Sequence, residues 1–249
     1  MVALGFTPSG TRQSQINDIV VGLKAAPNPV WSKIDHLWVL AMDSDLGAYL
    51  DWKSAPLPAP PVNATPFGNP GFIPLNGIQP MAPGDFLDSN VSFSTGPNMT
   101  LNSGTMFFNT LDLPGGSFGG PLGSSTPGTG ESFFLEYAGG NIACINQNGV
   151  VNCSFITQKG TRAFVRDDAS NYSYYEEGVL ISNHVAAASA FPTCSTYLGN
   201  LHRCSGVPDN GAYPCQSRLT VVGWGGPMTG PEIAQLTTVI NAYLTAIGH

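Results

Sequence analysis

WSKIDHLWVLAMDSDLGAYLDW, residues 31–52, is the longest run of this chain whose apolar residues keep one period. Ile34, Leu37, Trp38 and Ala41 fall at i, i+3, i+4 and i+7, and Leu46, Tyr49 and Leu50 repeat the first three of those steps after the polar Asp43-Ser44-Asp45. This spacing predicts a helix. A helical stripe needs an apolar surface to cover, and nearly everything from there to Pro227 reads as short strands between Gly- and Pro-rich turns. The expected architecture is therefore mainly β, with helices from both ends of the chain laid against a β core.

Upstream, residues 14–26 predict a first helix with Ile16, Ile19, Val20 and Leu23 on one face and Ser14 as N-cap, stopped by Pro27 and Pro29. Downstream, nine prolines between Ser54 and Pro83 read as an extended connector. Residues 90–94, 104–109, 132–137, 142–145, 150–156 and 161–166 are short, rich in aromatic or β-branched residues, and punctuated by Gly, Asn or Asp. Residues 172–175 and 179–182 form the arms of a hairpin around Glu176-Glu177-Gly178, and 219–225 (LTVVGWG) is the last strand. Short strands at this spacing without alternating helices indicate an antiparallel sandwich. Thr229 and Glu232 fit a capping box, Ile233, Leu236, Ile240, Tyr243, Leu244 and Ile247 form the stripe of a closing helix, and Gly248 is its stop. The organisation expected is a helical segment over 1–53, a Pro-rich connector over 54–83 and the sandwich with its closing helix over 84–249.

With 249 residues, the chain is of ordinary size for one large β domain, and 30 Gly and 21 Pro suit many tight turns. A formal net charge of −7, with nine Lys plus Arg scattered along the chain, supplies no basic stripe for a phosphate backbone, so nucleic acid is not an expected partner. The first fifteen residues lack the cationic start and apolar core of a secretion signal, and no apolar run approaches the roughly 18 residues that span a bilayer, so no membrane insertion is expected. Five cysteines leave one unpaired. Cys144 and Cys153 flank the Asn148-Gly149 turn dipeptide and form a candidate disulfide if strand register brings them together. Cys194, Cys204 and Cys215 make one pair with a thiol left over, and the same cysteines with His202 make a competing zinc set that lacks a C-x-x-C knuckle.

Arg12-Gln13, IVVGLKA from Ile19, WSKIDHLWVLA from Trp31 and Trp52-Lys53, together with Tyr197-Leu198-Gly199, LTVVGWGG, MTGPEIAQL and INAYLTAIG near the C-terminus, resemble a family of phage and prophage virion proteins. The resemblance spans about the first 53 and the last 55 residues, and Tyr174-Tyr175-Glu176-Glu177-Gly178 stands where family members carry an Asn-Gly hairpin. It implies a concanavalin A-like, laminin-G-type jelly roll. It also implies a virion surface protein, a tail fibre or spike module or a head decoration, that binds host cell-surface polysaccharide beside other virion proteins. Such a protein would be made in the bacterial host cytoplasm and released by lysis, as a homo-oligomer with a trimer favoured. The resemblance hands over no catalytic residue.

Among candidate sites, Gly115-Gly116-Ser117-Phe118-Gly119 matches the nucleophile elbow by letter, but GPLGSSTPGTG after it cannot be the required helix. No E-x-D-x-x-E pattern supplies the carboxylate pair that glycosidases hold roughly 5–10 Å apart, Glu176 and Glu177 read as solvated turn residues, and the chain is expected not to be an enzyme. Sugar recognition uses flat aromatic faces beside Asn, Asp and backbone groups, which singles out Tyr172, Tyr174 and Tyr175 next to Asn171; the competing reading is that alternating tyrosines are ordinary sheet formers. No cofactor is required. Calcium is the one candidate ion, with Asn109 and Asp112, and Asp167 and Asp168, as oxygen clusters, against the plain Asx turn that 167–171 also fits. His36, without a Cys or Ser partner, reads as a surface or interface histidine, and Trp224 as core. A structural virion subunit without ligand, and a polysaccharide-degrading enzyme whose carboxylates come from distant strands, are the alternatives.

Overall fold

A computed structural model describes residues 8–53, 62–80, 82–112, 119–126, 129–137, 140–147, 151–153, 159–204 and 213–249. In chain order the elements are α1 (Gly10–Lys24), β1 (Ile34–Val39), α2 (Asp45–Ala48), β2 (Thr65–Phe67), β3 (Phe72–Ile73), β4 (Gly77–Ile78), β5 (Phe86–Asp88) and β6 (Gly104–Thr110). There follow β7 (Gly119–Thr126), β8 (Gly130–Tyr137), β9 (Gly140–Gln147), β10 (Val151–Cys153), β11 (Gly160–Arg166), β12 (Asn171–Glu176) and β13 (Val179–Val185). β14 (Tyr197–Leu198), β15 (His202–Arg203), β16 (Leu219–Gly225) and α3 (Gly230–Ala246) complete the chain.

The strands form two sheets of a jelly-roll sandwich. The first runs β13-β12-β11-β6-β16-β4-β3 with β1 also beside β16, and the second runs β10-β9-β8-β7-β14-β5-β2 with β15 beside β7. The ladders are antiparallel except β15 on β7. The helices α1 and α3 make a third layer on the outer face of the first sheet, so that sheet is covered on both sides. Phe107, Ala163, Val165 and Val221 face the helices, while Met106, Phe108, Phe164, Val222 and Trp224 face the second sheet. Where the two helices meet, Gly22 allows the close approach, since a Cβ there would sit 2.8 Å from Val239 Cγ2.

This middle-layer position overturns the helix expected over 31–52. Leu37, Val39 and Ala41 join the helix-side core, while Trp38 and Leu40 join the core between the sheets. That alternation is the two-residue period of a strand. With both faces buried, even the polar Asp35 and His36 of the strand are inside and Leu37 to Ala41 run apolar without a break, so the two-residue period goes unmarked and a helical template fits as readily. The expected N-terminal helical segment thus keeps α1 and the short α2, but contributes a strand to the sheet. Residues 65–78 of the expected connector likewise form β2, β3 and β4. Residues 90–94 are a turn rather than a strand, with Thr95 N donating to Ser92 O at 3.1 Å and Phe93 buried against Trp224.

The first helix starts four residues earlier than expected, with Ser9 and not Ser14 as its N-cap, whereas two later expectations hold. α3 carries the Thr229–Glu232 capping box, and the β12–β13 hairpin closes through Glu177 and Gly178, both at positive φ (48° and 80°). β7 was not visible in its glycines. Gly123 is required there because a Cβ would lie 2.4 Å from that of Phe133 on β8. Cys194 and Cys204 form a disulfide and Cys215 is a buried free thiol, which matches the expectation of one pair with one thiol left over; the zinc set thereby loses two of its ligands. A two-residue turn at Asn148-Gly149 would set Cys144 opposite Cys153. The ladder instead pairs Cys153 with Asn141, three residues along β9 from Cys144. The side chains of Cys144 and Cys153 lie outside the described residues.

Candidate functional site

The tyrosines singled out in the sequence are core. Tyr172 and Tyr174 are fully buried between the sheets, with Phe164 at ring-centroid distances of 5.9 and 4.7 Å, and Tyr175 is 9% exposed beneath α3. Of that cluster only Asn171 is exposed, and its Nδ2 is held 2.9 Å from Asp168 Oδ2. Buried rings cannot stack on a sugar, so the glycan contact expected at Tyr172, Tyr174 and Tyr175 is corrected. Glu176 is also buried, accepting the Tyr174 hydroxyl at 2.5 Å, and only Glu177 stays in the turn.

The two oxygen clusters lie at opposite ends of β11 and do not converge, since Thr110 stands opposite Gly160 and Gly104 opposite Arg166. Asp168 closes an Asx turn, its Oδ1 accepting from Ser170 N at 2.6 Å and Asn171 N at 2.8 Å. The hydrogen bonds from Asn171 and Ser170 hold its carboxyl below the usual carboxylate range. Asp167 Oδ2 accepts from the Ser173 hydroxyl, Asn109 is buried between Thr161 and Thr220, and Asp112 pairs with Arg218 at 2.7 Å. Among the described residues no group of three or more His, Cys, Asp or Glu side chains could hold a metal ion. The elbow-like serine lies outside the described residues.

His36 is not on the surface. It is 7% exposed, its Nδ1 lies 2.7 Å from Asp51 Oδ2, and its ring packs against Trp38 and Trp224. It is a satisfied structural group on one side, with Nε2 buried and lacking a protein partner.

The outer face of the second sheet carries what the sequence did not announce. Phe67, Phe86, Tyr197 and His202, from β2, β5, β14 and β15, form one continuous ring stack, with centroids 4.9, 3.9 and 3.9 Å apart and planes within 16°. Their neighbours Leu87 and Leu198 point the other way, into the core between the sheets. Phe67 ends the stack on the last strand of the sheet and is 46% exposed, so its far face is open to solvent while its near face is fixed by Phe86.

Polar groups border these rings. His202 Nδ1 lies 2.8 Å from Ser195 O; a carbonyl only accepts, so Nδ1 carries the hydrogen and Nε2 of the neutral ring is an acceptor. Partial burial, then Asp88 beside it on β5, pushes the Tyr197 hydroxyl up to about 12, so it remains a donor at neutral pH. Asn90, at φ 60°, donates to Thr65 Oγ1 at 2.9 Å and to Asp88 Oδ1 through its backbone at 2.8 Å. The Cys194–Cys204 disulfide brackets His202. The four rings lie on very short strands in two groups, Phe67 and Phe86 more than 100 residues before Tyr197 and His202, and no periodic pattern connects them.

No family model and no curated protein matches this chain. Solved structures do. The chain is similar to Trypanosoma rangeli sialidase in complex with sialic acid, at 15% identity and TM-score 0.56, over 94% of this chain and 38% of that one. The same enzyme as its covalent intermediate with 2,3-difluorosialic acid gives the same identity, TM-score and coverage. The CBM40 of Ruminococcus gnavus IT-sialidase is similar at 16% identity and TM-score 0.45, over 71% of this chain and 98% of that one. The sialidase likeness establishes the fold, and this chain spans under two fifths of the sialidase chains. It also corrects the expectation that the chain is not an enzyme, because glycoside hydrolases contain this architecture across nearly its full length.

Proposed function

We propose that this chain is a carbohydrate-recognition module whose contact surface is the ring ridge on the outer face of the second sheet. The observation that carries this reading is the open face of Phe67 at the end of a stack four rings deep. A flat apolar face packs on the C–H face of a pyranose, and a ring already held by its neighbours loses little freedom on binding. The Tyr197 hydroxyl, His202 Nε2 and the Asp88–Asn90 pair stand beside it for sugar hydroxyls. The jelly-roll likeness to a sialidase supports the same reading. The resemblance of both chain ends to virion proteins supports a place on a phage-like particle, where the ligand would be bacterial surface polysaccharide.

A second reading, work within a glycan-hydrolysing protein, is favoured by one observation: the sialidases align with 94% of this chain. Co-sedimentation with bacterial surface polysaccharide, with the same tubes assayed for new reducing ends and released sialic acid, separates the two. Binding without new ends supports recognition alone, new ends support the hydrolytic setting, and no binding to any polysaccharide or sialoside removes both.

A further inference from the structure

A second recess lies on the opposite side of the molecule from the ring ridge, where the ends of β6 and β11 meet α3. It is a cleft of about 600 Å³, lined among others by Leu111, Lys159, Glu177, Arg218, Asn241 and Leu244. We propose that this cleft binds a carboxylate-bearing sugar, at a site separate from the ridge and independent of it.

The argument rests on which hydrogen-bonding capacity is already used. Glu177 sits in the left-handed region at φ 48°, and both of its oxygens are taken: Oε1 by Thr161 N, and Oε2 by Asn241 Nδ2 at 2.9 Å. The Asp112 carboxylate at the rim is engaged through both oxygens by Arg218 Nε, at 2.7 and 2.8 Å. Arg218 itself is held a second time through Nη1, 2.7 Å from Asn76 Oδ1, and its Nη2 has no hydrogen-bond partner among the described residues. The acidic groups thus have little left to offer, while a guanidinium edge fixed at two points keeps a donor to spend. A pre-oriented guanidinium of this kind is suited to a planar carboxylate.

Lys159 adds a second cation in a chain whose net charge is −7. The remaining walls fit the rest of a sugar. Leu111 and Leu244 supply apolar surface, and Asn241 Oδ1 and the Thr245 hydroxyl can take ring hydroxyls. Because Glu177 and Asp112 offset the two cations, recognition depends on the direction of the Arg218 donor rather than on bulk positive charge. A neutral hexose offers that donor only uncharged hydroxyl oxygens, a weaker acceptor than a carboxylate, and a simple carboxylate lacks the body that the walls would hold.

The test is titration of the whole chain with sodium D-glucuronate, methyl glucoside and acetate, followed by calorimetry and by amide NMR shifts at Leu111, Gly160 and Thr245. Glucuronate should bind at least tenfold more tightly than either control, with shifts confined to the cleft. Arg218→Gln should reduce glucuronate affinity about tenfold. Thr245→Trp, which fills the cleft from an exposed helix position and removes no internal contact, should abolish binding with the melting temperature unchanged. The proposal is overturned if acetate or methyl glucoside binds as tightly as glucuronate, or if Thr245→Trp leaves glucuronate binding intact. Phe67→Ala should leave this binding unaltered, so failure of the ridge reading and failure of the cleft reading give different results.

Discussion

Asp51 Oδ2 accepts from His36 Nδ1 at 2.7 Å, while its Oδ1 accepts from the backbone N–H groups of Leu37 at 3.0 Å and Lys53 at 2.9 Å. One carboxylate, 1% exposed, therefore ties β1 to the segment after α2 and fixes the His36 ring against Trp224. Asp51→Ala leaves three buried or half-buried donors without their acceptor. The expected loss is about 3 kcal/mol, or roughly 6–12 °C in melting temperature for a chain of this size. Chemical denaturation of the variant checks this, and a change under about 1 kcal/mol would show that water replaces the carboxylate at little cost.

Binding at the ridge should depend on Phe67 and not on the buried tyrosines. Phe67→Ala removes the open stacking face from a residue that is 46% exposed, so affinity for bound polysaccharide should drop about tenfold with little change in stability. Tyr172→Phe should leave binding untouched, because Tyr172 is fully buried. The opposite pattern in a co-sedimentation assay would return the site to the tyrosine hairpin.

Alkaline pH should destabilise the fold. Burial pushes the Cys215 thiol from its ordinary 9.0 up to about 12, and the Tyr243 hydroxyl from 10.0 up to about 12. For both groups the folded value lies above the unfolded one, so folding favours the protonated form. Their stabilisation is complete below about pH 9 and declines as pH rises toward 12. Denaturation midpoints should fall between pH 9 and 11 after holding steady from 7 to 8.5. Cys215 should also resist alkylation at pH 8 in the folded protein and react once it is unfolded.

The contact between α1 and α3 is tight enough to test with one side chain. Gly22→Val should destabilise by about 2 kcal/mol, because even a Cβ at this position stands 2.8 Å from Val239 Cγ2 and a branched residue cannot turn away within a helix. Gly22→Val combined with Val239→Ala should recover most of the loss in a thermal melt. Failure of the second change to restore stability would place the strain elsewhere.

Reduction of the Cys194–Cys204 bond should act on the ridge as well as on stability. The ten-residue separation gives an expected loss of about 2–3 kcal/mol. His202 lies inside the closed loop and stacks on Tyr197, so polysaccharide affinity should weaken in parallel. A double Cys→Ser variant with unchanged affinity would show that β15 is held by its ladder to β7 alone.

Local signals were legible in the sequence wherever one short segment contains its own cause. Thr229 and Glu232 cap α3 from three residues apart, and Gly178 permits the turn that closes β12 on β13. Apolar runs bounded by Gly and Asn mark β6, β11 and β16, and together these settle a mainly β chain with a closing helix. What the tertiary structure alone decided is where the layers lie. Residues 31–52 contain both a strand and a short helix because β1 is buried between helices and a second sheet, and with Asp35 and His36 buried too and Leu37 to Ala41 all apolar no polar face marks the strand's period. The ring ridge was hidden for a related reason. Phe67, Phe86, Tyr197 and His202 meet only when β2, β5 and β14 align side by side and β15 follows β14 along β7, and that register is set by the whole sandwich rather than by any one segment.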